Sequence, residues 1–198
     1  MKKIGIVTGT RAEYGLLSRT IELLQCDERF STCVFACGTH LSPEFGYTIS
    51  ELEDDGVKNI SRIEMLMSSS SRVGVAKSVG IATMSFADAF SRQPLDAIIV
   101  LGDRYETLAV ACAAIFQRIP IGHISGGETT TGAFDEAIRH SITKMSWWHF
   151  VGANEYKNRV IQLGEDPKRV HLVGGMGVDY IKITNLLKKH YLQKLLGF

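Results

Sequence analysis

Seven short apolar runs, separated by longer amphipathic segments, constrain this chain more than any other feature. The runs cover residues 3–8, 32–37, 59–65, 97–101, 119–124, 148–152 and 170–173. Helix-like segments fill the intervals at 14–26, 43–55, 73–93, 105–117, 134–146 and 155–163. Alternating strand and helix builds βαβ units, hence a mainly parallel sheet with helices on both faces. The run AIIVL at 97–101 has no polar position, as a strand covered on both sides requires. The expected architecture is α/β, a Rossmann-like three-layer sandwich. In such folds ligands bind beyond the carboxyl ends of the strands. The polar clusters at 8–13, 102–106 and 123–128 all fall at those ends, so three strands deliver them to one rim.

The longest helix spans 73–93. Val73, Ala76, Val79, Gly80, Thr83, Phe86, Ala87 and Phe90 recur in it at i, i+3, i+4 spacing, which makes one apolar face. Four serines at 68–71 precede it and are expected to form a mobile loop. The tail at 178–198 sets Ile181, Leu186, Leu187, Tyr191, Leu192 and Leu195 against Lys182, Lys188, Lys189 and Lys194. It reads as a basic amphipathic helix docked on its own sheet, with a partner surface as the other option.

Size and charge exclude several functions. At 198 residues the chain suits one sizeable domain, and its net charge of +1 gives no footprint for nucleic acid or an anionic membrane. No apolar run is long enough to span a bilayer. The start, MKKIGIVTGT, has about five apolar residues before Gly9-Thr10-Arg11, which is a first strand and not a leader. A cytoplasmic protein is expected. Cys26, Cys33, Cys37 and Cys112 form no CxxC pair and lack a histidine at metal spacing, so no metal is expected and the cysteines read as small buried residues.

Four loops carry the chemistry. GTRAEYG at 9–15 opens a helix, whose free N–H groups suit a phosphate with Arg11 adding a bidentate donor. It matches neither a dinucleotide nor a Walker motif. GDRYE at 102–106 puts Asp103 at the rim directly after a strand, either free for chemistry or as a helix N-cap. HISGGE at 123–128 supplies His123, a flexible Gly126-Gly127 turn able to approach a ligand, and Glu128. DEAIRHSITK at 135–144 sets Asp135 against Arg139 and Glu136 against His140 at i, i+4. If Asp103, Glu128 and Asp135 converge, their mutual repulsion raises one pKa, which suits proton removal and proton supply at a single site. GGMGVD at 174–179 is a glycine-rich turn after the last run.

GTRAEYG, LGDRYE, HISGGE, DEAIRHSITKMS, RVIQLGE and VGGMGVD, in this order, closely resemble the hydrolysing UDP-N-acetylglucosamine 2-epimerases of sialic-acid biosynthesis. The resemblance runs from about Met1 to Asp179, and HISGGE with DEAIRHSITK is its most specific part. It implies a GT-B-like fold, two Rossmann-like domains with the active site between them, and no cofactor. It implies conversion of UDP-N-acetylglucosamine and water to N-acetylmannosamine and UDP. The route would be anti elimination of UDP to a 2-acetamidoglucal, then hydration that sets C2.

The resemblance makes Asp103, Glu128 and Asp135 the catalytic carboxylates. It makes Arg11 a substrate contact, with Glu13, Arg104, His123, Gly126, Gly127, Arg139 and His140 around the same ligand. Members of the family run to nearly twice this length. The chain is therefore expected to be an N-terminal catalytic domain at 1–178 and an interdomain segment at 179–198. The second, UDP-binding domain would lie beyond it. Half a cleft loses most orienting contacts, so this half is expected to be inactive alone. A UDP-2,4-diacetamido-trideoxyhexose would suit the same motifs. A non-catalytic domain binding a nucleotide sugar or a partner would instead show Asp103, Glu128 and Asp135 lying apart. The expected partners are the nucleotide sugar and, as a homo-oligomer, further copies of the chain.

Overall fold

The computed structural model describes residues 1–67, 69, 71–130, 134–183 and 187–197. Seven strands, β1 (Lys2–Thr8), β2 (Phe30–Cys37), β3 (Ile60–Ile63), β4 (Ala97–Leu101), β5 (Ile121–Ile124), β6 (Trp148–Val151) and β7 (Val170–Leu172), form one sheet. Its order is β3-β2-β1-β4-β5-β6-β7, and every pairing is parallel. The order turns back on itself between β1 and β4, the place where doubly wound sheets bind ligands. The α/β sandwich expected from the alternating runs is the observed fold.

Among the described residues, eight α-helices connect and cover the strands: α1 (Arg11–Cys26), α2 (Ile49–Asp54), α3 (Arg72–Arg92), α4 (Tyr105–Phe116), α5 (Asp135–Met145), α6 (Asn154–Gln162), α7 (Met176–Ile183) and α8 (Lys189–Leu196). Successive strand residues point to opposite faces, which divides the core in two. Val7, Cys33, Phe35 and Cys37 face α3, α4 and α5, where Phe35, Phe86 and Phe90 pack ring against ring. Ile6, Val34 and Ala36 face Leu17 and Ile21 of α1 and Ile49 and Leu52 of α2.

The structure departs from the sequence expectations at several elements. The segment expected as one helix at 43–55 is a single turn at Pro43–Phe45 followed by α2. Ser71 caps α3 by accepting from Gly74 N at 3.1 Å, and Ser69 bonds to Ser71 at 2.9 Å, so these two serines serve the helix start. Ser68 and Ser70 lie outside the described residues. The tail is two helices. Met176 packs against the α1 side of the core, but Leu187, Tyr191, Leu195 and Leu196 are 51–67% exposed, so α8 is not docked on the sheet. Leu186 and Phe198 lie outside the described residues. Cys33 and Cys37 are buried as expected, whereas Cys26 is exposed and Cys112 half-buried. Among the described residues, no helix is long and apolar enough to cross a membrane.

Candidate functional site

The rim is built first from β4 and β5. Strand β4 ends at Leu101, and Gly102 turns the chain with a φ of 75° so that Asp103 stands at the strand's carboxyl end. Below it, His123 of β5 is fully buried, with Nε2 2.7 Å from the Gly102 carbonyl. A carbonyl only accepts, so Nε2 carries the proton and Nδ1 faces the Thr143 hydroxyl at 3.2 Å. Burial pushes the His123 pKa down to about 4, with the Gly102 hydrogen bond opposing it. His123 is thus a neutral strut that fixes the turn carrying Asp103, and it lies beneath the rim.

Arg139 of α5 is the hub above that strut. Its Nη2 donates to Asp103 and, at 3.2 Å, to the Thr130 hydroxyl, while Nη1 donates to the Ser125 carbonyl at 2.9 Å. Glu128 lies 3.5 Å from the same Nη1. The side chain is 7% exposed, and its Nε is buried without a hydrogen-bond partner among the described residues. The expected Asp135–Arg139 helix pair is replaced by these tertiary partners, because the guanidinium points inward from α5. Glu136 and His140 do stand together, 3.7 Å apart. Asp135 is half-buried as the first residue of α5, and no described contact joins it to Asp103 or Glu128.

The loop after β5 owes its glycines to packing. Gly127 has a φ of 76°, and a Cβ there would stand 2.5 Å from the Tyr156 carbonyl of α6. Arg159, also on α6, donates to the Gly127 carbonyl. A Cβ on Gly126 would meet His123 Nδ1 and Thr143 Oγ1 at 3.1 Å. Ser125 takes a φ of 62°, a strained position for a residue with a side chain. The tight turn and the grip of α6 aim Glu128 at Arg139.

The first loop is also occupied from within. Thr10 caps α1 by accepting from Glu13 N at 3.2 Å, and the Glu13 carboxylate accepts from Gly9 N at 2.6 Å. This reciprocal arrangement is close to a capping box. It engages two of the N–H groups that the sequence reading offered to a phosphate. Arg11 is 73% exposed and pairs with Glu51 of α2 at 2.9 Å. Burial lifts the Glu13 pKa to about 7, against the Gly9 and Arg104 contributions and with help from Glu106. The rim carboxyl with a clearly raised pKa is therefore Glu13.

Arg104 takes Glu106 as its partner, at 2.8 and 3.2 Å, and not the adjacent Asp103. Arg104 is also the N-cap position of α4, so Asp103 does not cap that helix. Among the buried polar residues that the sequence reading gave no role are Glu106 and His40. Glu106 is 2% exposed, and its only sequence signal is a carboxylate in the first turn of an otherwise apolar helix. His40 is fully buried between Thr8 Oγ1 at 3.0 Å and Thr48 Oγ1 at 2.8 Å, and nothing in its local sequence marks it. Beside these groups a groove of about 1120 Å³ opens at the carboxyl ends of β1 to β4, lined by Thr10, Phe45, Met65, Met67, Arg104 and Tyr105 among others. Among the described residues, no three His, Cys, Asp or Glu side chains gather as a metal site.

Comparison with known proteins adds to this geometry. Residues 22–196 match the family model described as UDP-N-acetylglucosamine 2-epimerase. The chain is 44% identical to a Campylobacter jejuni protein named GDP/UDP-N,N'-diacetylbacillosamine 2-epimerase (hydrolyzing), over 98% of this chain and 50% of that one. It is 41% identical to polysialic acid biosynthesis protein P7 of Escherichia coli, over 100% of this chain and 50% of the relative. The chain spans about half the length of the curated relatives it matches. Its fold superposes on the UDP-GlcNAc 2-epimerase of Neisseria meningitidis bound to UDP-GlcNAc with a TM-score of 0.81, at 23% identity, covering 100% of this chain and 54% of that structure.

Proposed function

Because the chain belongs to the UDP-N-acetylglucosamine 2-epimerase family, we propose that it is the N-terminal half of a hydrolysing UDP-sugar 2-epimerase. The observation that carries this reading is the meeting of Asp103 and Glu128 on one buried guanidinium, Arg139, at the carboxyl ends of β4 and β5. Two carboxylates held at a rim by a shared cation can exchange protons with a ligand without moving. The reaction needs that twice: a proton leaves C2 as UDP departs, and a proton and water return to the resulting glucal. In this proposal Asp103 and Glu128 divide those proton transfers, with Asp135 at the head of α5 as the third carboxylate. Arg139 keeps the pair in register. His123 holds the turn behind Asp103, and Gly126 and Gly127 hold the turn before Glu128. Arg104 faces the groove as the cation for a phosphate, with Arg11, Glu13 and His140 as further ligand contacts.

Two sugars fit the reading. The C. jejuni relative favours a UDP-2,4-diacetamido-trideoxyhexose. The family description favours UDP-N-acetylglucosamine, which would be released as N-acetylmannosamine. The second half of the longer relatives would supply the opposite wall of the cleft, and a homo-oligomer in the cytoplasm is the expected state. The test is to incubate the chain, and a version extended by a second domain, with each UDP-sugar while following UDP release and the sugar product by NMR. The extended protein should turn over one of them, with the chain alone far slower. Release of UDP from neither sugar by the extended protein would sink the reading.

A further inference from the structure

Arg104 is paired with one carboxylate, Glu106, and a second, Glu13, is close enough for its charge to act on both. Glu106 takes it in a bidentate pair at 2.8 and 3.2 Å from a position 2% exposed. Glu13 approaches from α1, fixed by the Gly9 N–H at 2.6 Å, and its charge acts on both Arg104 and Glu106. The Arg104 side chain is still 39% exposed and lines the groove. With both acids ionised, the trio carries one excess negative charge at the place where the groove offers its cation. An incoming anion would add a third negative charge beside Glu106 and Glu13. The least costly relief is a proton on the carboxyl that is easiest to protonate.

We propose that capture of an anionic group at Arg104 is coupled to uptake of one proton by Glu13, with Glu106 as the fixed counter-ion that keeps Arg104 aimed into the groove. This rests on the reading of the rim as a nucleotide-sugar site, and adds to it a proton-linked step and two positioning residues. The groups whose charges act on this trio agree with the assignment. Glu106 and Tyr105 come from α4, and burial first and Glu106 second push the Tyr105 phenol up to about 12, so it stays protonated. Cys37 comes from β2 and is fully buried, with its thiol raised first by burial and then by Glu13 and Glu106. His40 behind Thr8 has its pKa lowered by burial, so it stays neutral near pH 7. Arg11 at the outer edge is already paired with Glu51. That leaves Glu13, with a pKa of about 7, as the group able to change charge near neutrality.

The experiment is calorimetric titration of the protein extended by a second domain with UDP between pH 7 and 8.5, in two buffers of different ionisation enthalpy. Wild type should take up about half a proton per UDP bound near pH 7.5, the most that a rise of about one unit allows. It should bind about fourfold tighter at the lower pH if the anion raises the Glu13 pKa by about one unit. Glu13→Gln keeps an acceptor for Gly9 N but cannot titrate. It should bind at least as tightly, with a pH response reduced to the ligand's own. Glu106→Gln should weaken UDP binding at every pH, and Glu106→Asp should restore part of it. Binding with the same proton uptake in wild type and Glu13→Gln overturns the inference and leaves the epimerase reading intact. No UDP binding by the folded extended protein also overturns it, whereas the epimerase reading stands or falls on the turnover assay.

Discussion

Arg139 donates to Asp103 across 36 residues of sequence, and the ion pair is almost closed to solvent, at 7% and 20% side-chain exposure. A buried pair of this kind adds little net stability while whole, but losing one partner strands the other. Glu128, 3.5 Å from the same guanidinium, shares that dependence.

Arg139→Ala should therefore cost about 3–5 kcal/mol in denaturant unfolding, because Asp103 loses its buried cation and Glu128 a nearby one. Arg139→Lys should recover part of the stability, since it restores the charge without the planar fork. In the extended protein both variants should lower kcat more than they raise KM. A stability loss below about 1 kcal/mol for Arg139→Ala would show that solvent reaches these carboxylates.

Gly127→Ala should destabilise by about 2–3 kcal/mol, combining the left-handed backbone with a Cβ driven into the Tyr156 carbonyl. Gly126→Ala, whose Cβ would meet only side-chain atoms at 3.1 Å, should cost less. Thermal unfolding of the two variants side by side checks the order.

His123 and Glu13 bend the pH dependence of stability in opposite directions. The folded-state pKa of His123, about 4, lies below the ordinary 6.5, so its contribution is full above pH 6.5 and is lost as pH falls towards 4. The folded-state pKa of Glu13, about 7, lies above the ordinary 4.5, so folding gains from protonation as pH falls from 7 to 4.5. Glu13→Gln should steepen the loss of stability on acidification, and His123→Gln should flatten it while starting from a less stable protein. Urea unfolding from pH 8 to pH 4.5 measures both slopes.

Leu195→Glu on α8 should change stability by less than about 0.5 kcal/mol, because Leu195 is 67% exposed. Phe86→Ala, at a fully buried ring among Phe35 and Phe90, should cost about 3–5 kcal/mol. Equal effects would mean that α8 is covered in solution.

The sheet was legible because burial on both faces leaves continuous apolar runs such as AIIVL, and helix-period residues such as Phe86 and Phe90 mark a packed stripe. The rim was legible because Asp103 and Glu128 directly follow strands. What they bind was not. Helical spacing assigns Arg139 to Asp135, but it says nothing of carboxylates 36 residues upstream that reach the guanidinium only once β4 and β5 lie side by side. At Gly127 likewise the sequence shows only the missing side chain, and not the α6 carbonyl that a Cβ there would meet. Glu106 and His40 were unreadable for the same reason: burial of a lone polar residue is a property of what packs over it.

The grip of α6 on the loop after β5 has a consequence for how such chains diverge. Tyr156 presents its carbonyl to Gly127, and Arg159 binds the Gly127 carbonyl. A side chain at 127 could be accepted only if α6 first withdrew, and withdrawal would release the turn that aims Glu128. The helix is thus a molecular ratchet on substitution: positions 127 and 159 should change together or not at all, however freely the exposed residues between them drift.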